Sequence, residues 1–298
     1  MNDARRKDSG RFLRLAPLLL LLVVAGGYGL WYLLSRGEPT PDPAETAEAG
    51  DGLSDPIQPE DAPELLIPDP GWTELLGTPP AWPFDQTPDC RRSVEELQRI
   101  CRRIDSRLAE QSRAVPPQGT FAMLTGLAAD LEARPPEVEG LMQNVDRLRG
   151  NVAHLFRVLG GERLYETRDL IRDNPEFLEP LTLALYDWTR SGDSCEGNLP
   201  APPNFSSQYT YSAFLIDTLG GQALLRRRPP IQEALAGFMA LQVVENAIDT
   251  ERDPLAVNPM REIRRCRRLI EGQDLVFRGR YLEALDRMEE RLGPRFLE

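Results

Sequence analysis

Two hydrophobic patterns divide the chain. From Pro17 to Leu34 the sequence PLLLLLVVAGGYGLWYLL runs for 18 residues without a charge. At ~1.5 Å per helical residue this spans ~27 Å, close to the hydrocarbon thickness of a bilayer, and predicts a transmembrane helix over residues 17–35. After Asp89 the apolar residues recur instead at intervals of three and four. Leu97, Ile100, Cys101, Ile104 and Leu108 share one helical face behind the capping-box signature Ser93-x-x-Glu96. Leu141, Val145, Leu148, Val152, Leu155 and Leu159 repeat the pattern up to Gly160-Gly161, where a helix can terminate. Amphipathic stretches predict further helices over 118–133, 162–172, 175–190, 206–227, 231–250, 260–271 and 274–292. Prolines 116, 117, 135, 136, 175, 229, 230, 254 and 259 fall between these segments, as helix boundaries require. No alternating strand pattern stands out. The expected fold class is all-α: a single N-terminal transmembrane helix, a disordered acidic Pro-rich tether, then a helical bundle or short stack of helical hairpins.

Charge orients the membrane segment. Arg5, Arg6, Lys7, Arg11 and Arg14 precede it, and only Arg36 follows before a long acidic stretch. The positive-inside rule therefore places residues 1–16 in the cytoplasm and everything beyond residue 35 outside it. Arg11 and Arg14 on one side and Trp31 and Tyr32 on the other sit where interfacial anchors belong. A signal peptide cleaved after Val23-Val24-Ala25 is the competing reading; the apolar run continues well past that point, which favours a retained anchor.

Residues 37–89 carry 12 prolines, 13 acidic groups and no basic group. Such a segment buries too little apolar surface to offset chain entropy, so 36–89 reads as a tether spanning ~40 Å as a random coil. One portion is less polar, with Trp72, Trp82 and Phe84 among prolines. It is either a linear motif that docks on a partner or an arm laid along its own domain, and unpartnered exposed tryptophans are unfavourable enough to prefer the arm. The helical domain is then residues 90–298.

Composition removes whole chemistries. The 298 residues carry a formal net charge of −12, which leaves no positive excess for phosphate backbones, so nucleic acid is not an expected partner. Lys7 is the only lysine and His154 the only histidine, which excludes Walker-loop lysines, Schiff bases and poly-histidine metal sites. No cofactor and no metal site is expected. The near-total use of arginine for basic positions fits a GC-rich bacterial genome.

Cys90, Cys101, Cys195 and Cys266 all lie on the outward side of this topology, where two disulfides are expected. A helix between Cys90 and Cys101 would hold them ~16 Å apart, beyond the ~6 Å a bridge allows. Cys101 and Cys266 each belong to an apolar helical stripe and are expected to face one another, leaving Cys90 to join Cys195.

Other candidates reduce to structure on sequence context. Gly192-Asp193-Ser194 resembles the nucleophile motif of GDSL-type or trypsin-like hydrolases over three residues only, with no downstream histidine and no strands, so it reads as a polar turn. His154 lies at the edge of its helical stripe and reads as a boundary side chain. Leu155–Leu164 and Leu215–Leu224 echo each other at a spacing of 60, which repeated hairpins would explain and chance in a Leu-rich chain explains as well. Carboxylates such as Glu162, Glu166, Glu176 and Glu179 are abundant, but no spacing singles out a pair. Phe205, Tyr209 and Tyr211 follow Pro200, Pro202 and Pro203 and form either a recognition surface, together with Trp72, Trp82 and Phe84, or the staple of a loop. No catalytic residue is expected. The expected protein is a bacterial inner-membrane, single-pass chain with a periplasmic domain that binds or scaffolds an envelope protein. The alternatives are an envelope-glycan hydrolase using two carboxylates and a purely structural spacer.

Overall fold

The computed structural model describes residues 82–136, 138 and 153–296, which contain nine α-helices and no strand. These are α1 (Cys90–Glu110), α2 (Gly119–Ala133), α3 (His154–Arg172), α4 (Leu178–Arg190), α5 (Phe205–Asp217), α6 (Leu219–Leu225), α7 (Pro230–Asp249), α8 (Met260–Glu271) and α9 (Arg278–Phe296). The expected transmembrane helix and most of the tether, with Arg11, Arg14, Trp31, Tyr32 and Trp72, lie outside the described residues. Among those described, no helix is long and apolar enough to cross a membrane.

The hub is α7. Ala234, Leu235, Ala236, Phe238, Met239, Ala240, Leu241, Val243 and Val244 are all buried, so apolar residues surround nearly the whole helix, and such a helix must sit inside. It packs against α5, α8 and α4. From α4 the core continues through α1 to α2 and α3, while α9 covers α8.

Local chemistry sets the helix ends. The Asp89 carboxylate accepts from the Arg92 N–H at 2.8 Å and starts α1. The helix thus begins ahead of the expected capping box, and Ser93 is an interior residue whose hydroxyl donates to Asp187 Oδ2 at 2.7 Å on α4. Asn204 caps α5 through the Ser207 N–H at 3.0 Å. The stretch read as one helix over 206–227 is broken at Thr218, whose extended backbone ends α5 and whose Oγ1 accepts from the Gly221 N–H at 3.0 Å to start α6. Gly221 is obligatory there, because a Cβ would stand 1.8 Å from the Phe214 carbonyl oxygen. In α3 the break falls at Gly160, with φ +75° and ψ 165°, and the helix resumes directly. The breaks at Gly160 and Thr218 are out of step with the 60-residue echo, so the matching letters adopt different local structures.

Residues 82–89 form a strap on the helices rather than the end of the tether. The Trp82 ring is 6% exposed, with its centroid 4.9 Å from Tyr281, 5.2 Å from Phe277 and 4.7 Å from Phe84. Arg190 donates to the Pro83 and Gln86 carbonyls at 2.8 and 2.7 Å, and Arg280 pairs with Asp85 at 2.8 Å. The folded unit therefore includes Trp82.

Candidate binding groove

Beside the strap lies a groove of about 620 Å³, within the usual size range of ligand sites. The strap supplies Phe84 and Pro88, α4 supplies Tyr186, Thr189 and Arg190, the start of α5 supplies Asn204, Phe205 and Gln208, and the C-terminal half of α7 supplies an open floor, on which Gln242 and Glu245 are half-buried and Asn246 and Asp249 exposed.

Its aromatic wall is fixed from behind. The Phe84 and Tyr186 rings stack with centroids 4.9 Å apart, and the Arg190 guanidinium lies 5.8 and 5.9 Å from them. Two carbonyls already occupy that guanidinium. On the floor, Glu245 and Asp249 stand one turn apart on α7, and Arg291 of α9 pairs with both. Burial raises the Glu245 carboxyl above its ordinary range, against the opposing pull of Arg291. Gln242 and Asn246 extend the same polar row, and their side-chain amides make no hydrogen bond to other described residues.

Of the residues expected to bind a partner, Phe84 and Phe205 line this groove, half-buried. Three others do not. Trp82 is spent on its aromatic bed. Tyr209 is buried, and its hydroxyl donates to Asp253 and accepts from the Leu255 N–H at 3.1 Å, pinning the loop after α7. Tyr211 is buried, and its hydroxyl donates to the Leu131 carbonyl at 2.9 Å. An aromatic whose polar tip is satisfied inside the core offers nothing to a partner. The loop cluster is thus mainly a staple.

His154 is 1% exposed rather than at a boundary. With Tyr211 donating to Leu131, Nε2–H of His154 donates to the Tyr211 oxygen at 2.9 Å, and Nδ1 accepts from Arg157 at 3.2 Å. Burial, helped by the Arg157 cation, lowers this imidazole to about 4. It ties α2, α3 and α5 together.

Cys90 and Cys195 are joined, with Cα atoms 5.0 Å apart, fastening the start of α1 to the turn after α4. Cys101 and Cys266, expected to face each other, are instead two free buried thiols. The reason lies in the packing: α1 rests on α2 and α4, whereas α8 rests on α7 and α9, where the Cys266 thiol donates to the Ala234 carbonyl at 3.1 Å. Desolvation raises both thiols, which makes them inert. The turn Gly192–Ser194 is a short 3₁₀ element, and the Ser194 hydroxyl accepts from the Cys90 N–H at 3.0 Å and donates to the Ser191 carbonyl at 2.8 Å.

Glu179 of α4 is a buried anchor. Its carboxylate accepts from the Val276 and Phe277 N–H groups at 2.9 and 3.1 Å, just ahead of α9, and burial pushes it up to about 7 despite those bonds. Glu233 is also buried and is paired with Arg265 of α8. Among the described residues no group of three or more His, Cys, Asp and Glu is placed to hold a metal ion.

The floor residues Gln242, Glu245, Asn246 and Asp249 were missed from the sequence, although a signal exists. They recur at +3, +4 and +7 along the C-terminal half of α7, whose other residues there are apolar, which marks one polar stripe. Over the described residues, fold and groove together make an all-helical domain with a polar, aromatic-walled groove. No family model, curated protein or solved structure matches the chain.

Proposed function

We propose that this protein is a single-pass component of the bacterial inner membrane whose helical domain, held in the periplasm on an acidic tether, binds or scaffolds other envelope components. The observation that carries the reading is the uncharged run Pro17–Leu34 with five basic residues before it and an acidic, proline-rich stretch after it. A joined Cys90–Cys195 pair supports an oxidising compartment. A tether of this length raises the local concentration of the domain near membrane-bound partners, which is the use of such an arrangement.

The expected partner is an envelope protein. The test is photo-crosslinking in intact cells from probes placed along the surface of the full chain, followed by mass spectrometry. Recovery of a stoichiometric envelope protein supports the reading, and recovery of none overturns it.

A second reading, cleavage of an envelope glycan by two carboxylates, has one observation in its favour, since Glu245 and Asp249 both line the groove. They stand on the same helix and share Arg291, whereas hydrolysis needs carboxyl groups on opposite sides of the scissile bond. Binding is therefore preferred to cleavage. A purely structural spacer would have no use for the groove.

A further inference from the structure

We infer that the groove between the strap, α4, α5 and α7 is a binding site for a neutral glycan segment, of the hexose or N-acetylhexosamine type. This rests on the groove being a ligand site and is independent of which envelope protein the chain contacts.

The chemistry of the lining selects the ligand class. Its formal charge is zero, with Arg190 and Arg252 against Glu245 and Asp249. Three of these four are already engaged: Arg190 by two carbonyls, and both carboxylates by Arg291. Only Arg252, on the exposed rim, lacks such a partner. A cationic ligand would meet only carboxylates already held by Arg291, and an anionic one would find, among the described residues, its single free cation, Arg252, at the exposed rim and none beside the carboxamides.

A lipid chain or an amphipathic helix fails for the opposite reason. It would cover the amides of Gln242 and Asn246 and leave them without partners, and an unsatisfied buried polar group is expensive. The groove therefore calls for a ligand with an apolar face for the half-buried rings of Phe84 and Phe205 and a rim of uncharged donors and acceptors for the carboxamides. A pyranose ring has that combination: axial C–H bonds on its faces, and hydroxyl or acetamido groups around its edge. A carboxamide is suited to such a rim because it donates and accepts at once.

An extended peptide is the nearest competitor. Peptide recognition of that kind commonly adds a strand to a sheet edge, and the described residues contain no sheet. The helical walls spend their main-chain groups on their own ladders. Side-chain amides are the free hydrogen-bonding groups of the floor.

The test uses the full-length chain in detergent micelles, titrated calorimetrically with the β-1,4-linked tetramer of N-acetylglucosamine, with maltotetraose, and with an uncharged extended hexapeptide. The parent should bind at least one tetrasaccharide saturably. The double substitution Gln242→Ala/Asn246→Ala and, separately, Phe205→Ala should each weaken that binding by about tenfold or more, the scale of one or two lost contacts. Circular dichroism and thermal midpoints compared with the parent show whether the variants remain folded, and Arg287→Ala, on an exposed stretch of α9, should bind as the parent does. The inference is overturned if neither saccharide binds, if binding survives both groove substitutions, or if only the hexapeptide binds. Such failure leaves the membrane topology and the protein partner to their own tests, since neither depends on the groove.

Discussion

Two buried ionisable groups should hide each other's effect on stability, and removing either should expose it. Burial pushes the Glu179 carboxyl from its ordinary 4.5 up to about 7, and the imidazole of His154 from 6.5 down to about 4. The folded state binds the Glu179 proton more tightly than the unfolded chain does. Its contribution is therefore full below pH 4.5 and is lost as pH rises through about 7. For His154 the unfolded chain is the better proton acceptor. Its contribution is full above pH 6.5 and is lost as pH falls through about 4. Each shift corresponds to ~3 kcal/mol at ~1.4 kcal/mol per pH unit, to order of magnitude. Between pH 4.5 and 6.5 the two slopes oppose and nearly cancel. In the variant His154→Gln the unfolding free energy should rise relative to the parent as pH falls through this window, with a slope approaching ~1.4 kcal/mol per unit. In Glu179→Gln it should fall by a similar slope. The assay is guanidinium unfolding followed by circular dichroism, at fixed ionic strength, from pH 4.5 to 7.5. Taking each variant minus the parent removes the other titrating acids, because all three chains share them. Parallel curves for parent and both variants would refute the argument, as would slopes of the opposite sign.

Two further substitutions and one reduction test the packing. Gly221→Ala places a methyl against the Phe214 carbonyl oxygen and should cost ~3 kcal/mol, with a thermal midpoint several degrees lower; an unchanged midpoint would show that the α5–α6 junction is not as described. Trp82→Ala empties the aromatic bed and should cost ~3–5 kcal/mol in denaturant unfolding, while a domain starting at Cys90 would lose almost nothing. Reducing Cys90–Cys195 opens a loop of sequence separation 105 and should lower stability by ~4–5 kcal/mol on the chain-entropy account. Thiol alkylation of the unreduced, unfolded chain should label two cysteines, Cys101 and Cys266, and labelling of none would restore the second bridge.

Legibility followed the range of the interactions. The span of α8, Met260–Glu271, was readable to the residue because its apolar stripe and the flanking Pro259 are local signals. The break at Thr218 was not, because a threonine reads as ordinary helix until its hydroxyl is seen capping the next one. His154 was misplaced for a similar reason. A histidine's burial depends on partners, and Tyr211 lies 57 residues away. Cys101 and Cys266 both sat on apolar stripes, and a stripe says that a side chain faces a core without saying which neighbour it meets. The groove was half legible. Phe84 and Phe205 stand out as aromatics near prolines, whereas the polar row is masked by the predominantly apolar pattern of the helix that carries it.

The proposed function depends above all on the proposed membrane segment and on the side of the membrane where the helical domain lies. The most direct measurement fuses after Glu298 a reporter enzyme that is active only outside the cytosol, and assays it in fractionated cells. The account predicts activity in the membrane fraction, carried by a chain that retains residues 1–35. A silent reporter would contradict it, as would activity in the soluble fraction on a chain beginning near Gly26.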